Sequence, residues 1–287
     1  MILAVRVMRS LYKIHKQRIK IMEFEFIAAY LVLGAFAGLM GGMLGIGGGV
    51  IIVPVLIILF TWQQLPSELI PILAVASSLG SIIVTSFAAM RAQSKRNAVD
   101  WEIFRQWSVL VVIGGFCSGF IASYLPAYGM KLGIAIFLLV VAIIMLSQWS
   151  PKPDRQLPGT FGRLFLGLGS GMSSALAGIG GGNIIVPLLV FFNVPMQRAA
   201  ATASSLGLPI ATVGTLGYVL AGWDQSNLPW GTFGYVYLPA TLSIAALTFV
   251  SAPIGVAIAH RLPAKVLKRV FGGVLLVVAG RMLWTSI

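Results

Sequence analysis

Residues Gly34 to Pro54 read G-A-F-A-G-L-M-G-G-M-L-G-I-G-G-G-V-I-I-V-P, and residues Gly167 to Pro187 read G-L-G-S-G-M-S-S-A-L-A-G-I-G-G-G-N-I-I-V-P. Both carry an apolar approach, then G-I-G-G-G, then I-I-V-P. Gly34, Gly38, Gly45, Gly49 and Pro54 pair with Gly167, Gly171, Gly178, Gly182 and Pro187 at one constant offset. A second block follows each copy, Ala74-Val-Ala-Ser-Ser-Leu-Gly80 in one half and Ala201-Thr-Ala-Ser-Ser-Leu-Gly207 in the other. Two blocks in the same order in each half are an internal duplication, and in a membrane protein that pattern points to a transporter.

The chain of 287 residues is 58% hydrophobic and only 9% charged, against about 25% charged in a soluble domain. One soluble core does not hide that much apolar surface. Charge-free stretches of about 20 residues, long enough to cross a bilayer as helices, cover 27–49, 69–90, 106–128, 132–149, 164–194, 199–222 and 233–259. A shorter one, 270–284, carries Arg281 near its far end. The period-2 alternation of a membrane β-barrel is absent. These features predict an all-α polytopic membrane protein in a lipid bilayer.

The net charge of +13 does not indicate nucleic-acid binding, because the basic residues sit in short clusters between apolar segments, as topology signals do. The single cysteine, Cys117, falls inside a span; it reads as a small core residue and implies no disulfide. Residues 1–23 form a basic extension with Arg6, Arg9, Lys13, Lys16, Arg18 and Lys20 among apolar residues, suited to an anionic membrane surface. A signal-peptide cut after Ala37 would destroy the first repeat. Met22 is an alternative start, since M-E-F-E-F leads directly into the first span.

The stretch 27–60 is too long for one helix and too glycine-rich in its middle. It predicts a helix to about Leu44, a break at Gly45–Gly49, and a short helix containing Pro54. Adjacent glycines unwind a helix cheaply, and irregular backbone at membrane depth persists only where protein or a water-filled cavity satisfies it. The second copy, 164–194, reads the same way. Three further spans follow in each half, near 69–90, 103–124 and 130–149, then near 199–221, 233–259 and 264–286. The expected organisation is the extension 1–23, a first repeat 24–149, a linker 150–163 with Pro151, Pro153 and Pro158, and a second repeat 164–287. Each repeat is a glycine-broken re-entrant helical hairpin plus three transmembrane helices.

With three crossings per half, the two repeats must be inverted. Placing the clusters at 91–105, 152–163, 198 and 261–269 on the cytoplasmic side gives that side Arg91, Lys95, Arg96, Arg105, Lys152, Arg155, Arg163, Arg198, Arg261, Lys265, Lys268 and Arg269. Within the two repeats, the other side receives Lys131 and Arg281. That bias obeys the positive-inside rule. The layout puts the six basic residues of the extension outside; a first segment that crossed fully would put them inside and break the repeat symmetry.

The two G-x-G-G-G-x-I-x-V-P copies and the two A-S-S-L-G blocks closely resemble the sulfite exporter TauE/SafE family, also described as toluene-sulfonate uptake permeases. The resemblance spans roughly residues 24–286. It implies a permease of the bacterial inner membrane for small sulfur-containing anions such as sulfite, sulfoacetate or other organosulfonates. It implies no cofactor and no metal, and a homo-oligomer is compatible with it. Beyond the family core the chain adds its basic extension.

Candidate ligands fall at the repeats. Gly34, Gly38 and Gly42 form a G-x-x-x-G ladder of the kind that packs membrane helices closely, and Gly167 and Gly171 continue it in the second copy. Gly47, Gly48, Gly49, Gly180, Gly181 and Gly182 suit either close packing or substrate contact. The case for contact is that free N–H groups at a restarted helix attract anions, and two inverted hairpins aim two such ends at the midplane. G-x-G-x-x-G fails at Val50 and Asn183, so no dinucleotide fingerprint is present. Ser77, Ser78, Ser204 and Ser205 are matched mid-span hydroxyls that either bond back to their own helices or donate to a sulfonate. Asn183, which stands where the first copy has Val50, is a further candidate, with Thr202 and Thr85 behind it. Glu23, Glu25, Glu68, Asp100, Glu102, Asp154 and Asp224 all lie at span edges or in loops, whereas proton-coupled carriers carry an intramembrane acid or histidine. His260, at a span end, reads as an interfacial residue. Two other classes remain beside a carrier: an anion channel of the same fold, and a membrane-embedded enzyme, which would need convergent His, Cys or carboxylate groups.

Overall fold

The computed structural model describes residues 25–147 and 157–284; the basic extension and most of the linker lie outside the described residues. Ten helices are described: α1 (Glu25–Leu44), α2 (Gly49–Trp62), α3 (Ile70–Ser94), α4 (Trp101–Ser123), α5 (Ala127–Leu146), α6 (Thr160–Leu176), α7 (Gly182–Phe191), α8 (Met196–Ala221), α9 (Leu238–Ala259) and α10 (Ala264–Trp284). Five of them, α1, α3, α4, α8 and α9, are long and apolar enough to cross a membrane. At 1.5 Å per residue, the 14 residues of α2 and the 10 of α7 fall short of a hydrocarbon core of about 30 Å.

The glycines place the breaks where the sequence predicts them. Gly48 lies against the carbonyl of Ala37; on a continuous helix those residues would stand about 16 Å apart, so the chain doubles back after α1. The span predicted from Phe233 begins instead at Leu238. Gly231 and Gly234, with φ of 86° and 54°, turn a short hairpin in which β1 (Thr232–Phe233) pairs antiparallel with β2 (Val236–Tyr237). An all-helical expectation had no place for it.

Small residues set which helices touch and in which direction. Gly34, Gly38 and Gly42 of α1 meet Ile244, Thr248 and Ala252 of α9 in the same order, so α1 and α9 run parallel. α3 runs the same way, with Ser77 beside Tyr237 and Gln93 beside His260. In a second group, Gly167 and Gly171 of α6 meet Leu110 and Val111 of α4, and Gly115 and Gly119 of α4 meet Ile210 and Gly217 of α8. The two groups join where α3 crosses α8: Gly207 meets Ser86 and Gly214 meets Leu79, so the groups run in opposite directions. α5 and α10 pair at the flank, with Gly272 against Ala142 and Leu146.

Outward faces are apolar. Val109, Ile113, Phe116 and Phe120 are exposed on α4, as expected where lipid replaces water. Cys117 is exposed among them. It is therefore not the core residue its mid-span position suggests, because the small residues Gly114, Gly115, Ser118 and Gly119 take the inward face of α4.

These contacts separate two kinds of glycine. A Cβ on Gly114 would strike the Leu168 carbonyl, whereas one on Gly169 meets nothing within 4 Å. Gly114→Ala should destabilise the detergent-solubilised protein by about 1–3 kcal/mol through overpacking. Gly169→Ala should be neutral or stabilising by up to about 1 kcal/mol through helix propensity. Thermal unfolding of both variants checks the contrast.

Candidate substrate site

The two breaks share left-handed backbone at two equivalent pairs, Gly45 with Gly178 and Gly48 with Gly181. Gly45, Gly47 and Gly48 have φ of 73°, 68° and 81°, and Gly178 and Gly181 have 69° and 86°. An L-residue pays about 1–2 kcal/mol in this left-handed region, which is why glycine stands there. Gly48 and Gly181 are the N-caps of α2 and α7. The N–H groups of Ile51 and Ile52 both donate to the Gly48 carbonyl at 3.0 and 3.1 Å, and those of Ile184 and Ile185 both donate to the Gly181 carbonyl at 3.2 and 2.9 Å. Gly49 and Val50 in one helix, and Gly182 and Asn183 in the other, thus carry the orphan first-turn donors at the positive helix ends.

Each helix start is pressed onto the opposite break. A Cβ on Gly49 would strike the carbonyl of Gly178 and the Cα of Ile179, and a Cβ on Gly182 would strike the carbonyl of Gly45 and the Cα of Ile46. Gly49 and Gly182 are sequence-equivalent, as are Gly45 and Gly178, so the contact is reciprocal. Gly47 and Gly180 face α3 instead: a Cβ on either would lie 2.8 or 2.6 Å from Ile82 Cγ2. Ser86, one turn further along α3, has its Oγ 3.4 and 3.6 Å from those same two positions. All residues of 45–50 and 178–183 are buried.

The predicted hydroxyls divide by their partners. Ser77 Oγ accepts from the Tyr237 N–H at 2.9 Å, and Ser78 Oγ donates to the Gly178 carbonyl at 2.8 Å. Thr202 Oγ1 accepts from the Asp100 N–H at 2.9 Å. Asp100 and Tyr237 are the N-caps of α4 and α9, so α3 holds the start of α9 while α8 holds the start of α4. Ser205 Oγ donates to the Ala201 carbonyl and Thr85 Oγ1 to the Ser81 carbonyl, each within its own helix. Ser204 differs: its buried Oγ has no hydrogen-bond partner. It sits one turn before Gly207, where a Cβ would strike the Gly180 carbonyl.

Asn183 is fully buried, and neither its amide nitrogen nor its amide oxygen has a partner. Ser86 Oγ is likewise buried and unpartnered. Each such group costs about 1–3 kcal/mol and requires an explanation. Asn183 and Ser204 were legible as candidates from the duplication. Ser86 was not, because its equivalent in the second half is Val213. Its signal is the spacing Ser78, Ile82, Ser86, which puts all three on one face of α3. Among the described residues, no three His, Cys, Asp or Glu side chains group as metal ligands would.

Comparison with known proteins follows the same outline. The family described as "Sulfite exporter TauE/SafE" matches residues 30–282. A "Probable membrane transporter protein" of Haemophilus influenzae is 30% identical over 264 residues, covering 90% of this chain and 98% of its own length. A protein of the same description from Methanocaldococcus jannaschii is 26% identical, covering 88% and 95% respectively. A third, from Xylella fastidiosa, is 24% identical over 92% of this chain and 98% of its own.

The hydrogen-bond partners of Asn183 and Ser78 set two opposite expectations. Asn183→Val, which installs the residue of the first copy, removes two unsatisfied polar atoms; it should leave the melting temperature of the unliganded protein unchanged or raised. Ser78→Ala removes a satisfied bond to the second break and should cost about 1 kcal/mol. Thermal unfolding without added anion checks both signs.

Proposed function

Because the chain belongs to the sulfite exporter TauE/SafE family, we propose that this multi-pass membrane protein moves small sulfur-containing anions, such as sulfite, sulfoacetate or a related organosulfonate, outward across the inner membrane. The observation that carries the reading is the reciprocal contact of the two glycine breaks, which brings two helix N-termini together. The orphan N–H groups of Gly49, Val50, Gly182 and Asn183 supply donors without fixed charge. The Asn183 amide and the Ser86 and Ser204 hydroxyls have no other partner. An oxyanion offers acceptors to these N–H groups, to the two hydroxyls and to the Asn183 amide nitrogen, and its transfer into a buried site is offset by these bonds.

Alternating access between two inverted repeats fits this arrangement. Its support is directional: α1 and α3 of the first half run with α9, while α6 and α8 of the second run with α4 in the opposite sense. Each half therefore supplies one helix to the other's group, and the breaks meet where the groups join. Such interfaces are where inverted-repeat carriers bind substrate. The lengths of α2 and α7 support re-entrant hairpins, and the cation bias supports the C-termini of α3 and α9 on the cytoplasmic side.

Export needs no coupled proton. With the cell interior negative, each negative charge leaving gains about 2.3 kcal/mol per 100 mV. The described carboxylates, Glu25, Glu68, Asp100, Glu102 and Asp224, stand at helix ends or in loops, and a family of transporters points away from catalysis.

Counterflow into vesicles of purified protein tests the reading. Labelled sulfite or sulfoacetate should accumulate transiently against unlabelled anion, and sulfate serves as the comparison. Simple equilibration without overshoot would indicate a channel. Gly181→Ala should abolish counterflow while the protein stays folded, because its φ of 86° disfavours a Cβ while the nearest atom is only the flexible Ile210 Cδ1 at 2.8 Å. Ser86→Ala should lower affinity by roughly tenfold to a hundredfold, the worth of one hydrogen bond to a charged ligand.

A further inference from the structure

Away from the breaks, the last turns of α3, the turn after it and the middle of α9 border an open pocket of about 500 Å³ lined by Ala88, Arg91, Ala92, Lys95, Arg96, Phe249 and Pro253. Its chemistry is two-part. Arg91 on the last turn of α3, and Lys95 and Arg96 in the turn that follows it, are exposed cations, and no salt bridge joins any of them to a carboxylate among the described residues. Asp100, the acid nearest in sequence, has Oδ1 engaged by the N–H groups of Glu102 and Ile103 at 3.2 Å. The remaining walls are apolar, and on the α9 side they continue into Phe249, Val250 and Ile254, each more than half exposed.

We propose that this cavity holds the headgroup of an anionic phospholipid, with its acyl chains laid along Phe249, Val250 and Ile254. Three adjacent cations without counter-charges attract an anion; a small soluble anion would use the cations and leave the apolar wall in contact with nothing it can bind. A phospholipid satisfies both parts, and basic pockets between membrane helices bind such headgroups. His260, at the end of α9, is bonded to Gln93 of α3 at 2.7 Å and fixes the two helix ends together beneath the cations. Its pKa is held below the ordinary histidine range first by burial and then by Arg96, so it adds no fourth charge near neutrality. Arg281 and Lys131 line another groove, against α2, but Arg281 already has an interaction of its own, and three clustered cations exceed two.

Native mass spectrometry of protein reconstituted in equal amounts of phosphatidylglycerol and phosphatidylcholine, then extracted, reads the site directly. The wild type should retain phosphatidylglycerol preferentially. Arg91→Gln with Arg96→Gln should reduce that retention on the order of tenfold, since each basic residue near an anionic lipid contributes a few-fold. Lys95→Gln alone should reduce it by a smaller factor and carries the test if the double variant does not fold. Arg105→Gln removes an exposed cation of α4 outside the cavity and should change nothing. Equal retention of both lipids, or equal loss in the Arg105 control, would overturn the proposal. So would glycerol phosphate displacing the lipid at equal concentration, because the acyl chains would then contribute nothing.

Discussion

Backbone pressed on backbone at the two breaks is the constraint on which the remaining structure depends. The start of α2 rests on the Gly178 carbonyl and the start of α7 on the Gly45 carbonyl, with no space for a Cβ at Gly49 or Gly182. That contact fixes the separation of the two halves. It requires left-handed backbone at Gly45, Gly48, Gly178 and Gly181, and it forces both following helices to begin inside the protein. Helices that begin there leave donors unbonded in a medium without water. Those donors are costly when empty, which is the physical ground for proposing the same contact as the anion site.

The surrounding helices hold this arrangement by exchange rather than by simple stacking. Ser77 of α3 secures the N-cap of α9, and Thr202 of α8 secures the N-cap of α4. Glycine ladders then bring α1 onto α9 and α6 onto α4. In lipid there is little hydrophobic drive between helices, so close packing of small residues and a few hydrogen bonds carry the association. A rocking motion of one group against the other would preserve these pairings and alter the crossing of α3 with α8, where Gly207 and Gly214 allow close approach, together with the contact between the two breaks.

Much of this was legible in the sequence because glycine and proline act locally. G-I-G-G-G gave the positions of both breaks, and the constant offset between copies gave the equivalence of Gly48 with Gly181. Apolar runs located the helices to within a few residues, except where Gly231 and Gly234 turned a hairpin inside an apolar stretch; of the spans expected, α5 and α10 are not among the helices long and apolar enough to cross a membrane. Partnership was not legible. Ser77, Ser78, Ser204 and Ser205 look alike in sequence, yet three of them bond to backbone and one does not, because the partner lies in a distant segment or one turn back. Ser86 escaped notice for lack of a duplicate. Cys117 was misplaced because an apolar span in lipid has no polar face to show which side is outward.

The central claim is that the two breaks form one anion site. Selenite, the selenium counterpart of sulfite, allows it to be seen by anomalous X-ray scattering from crystals soaked with the ion. The account predicts one anomalous peak within hydrogen-bond distance of the N–H groups at Gly49 or Val50 and at Gly182 or Asn183, near the Asn183 amide. A peak confined to the basic cluster at Arg91, Lys95 and Arg96, with none at the breaks, would contradict it.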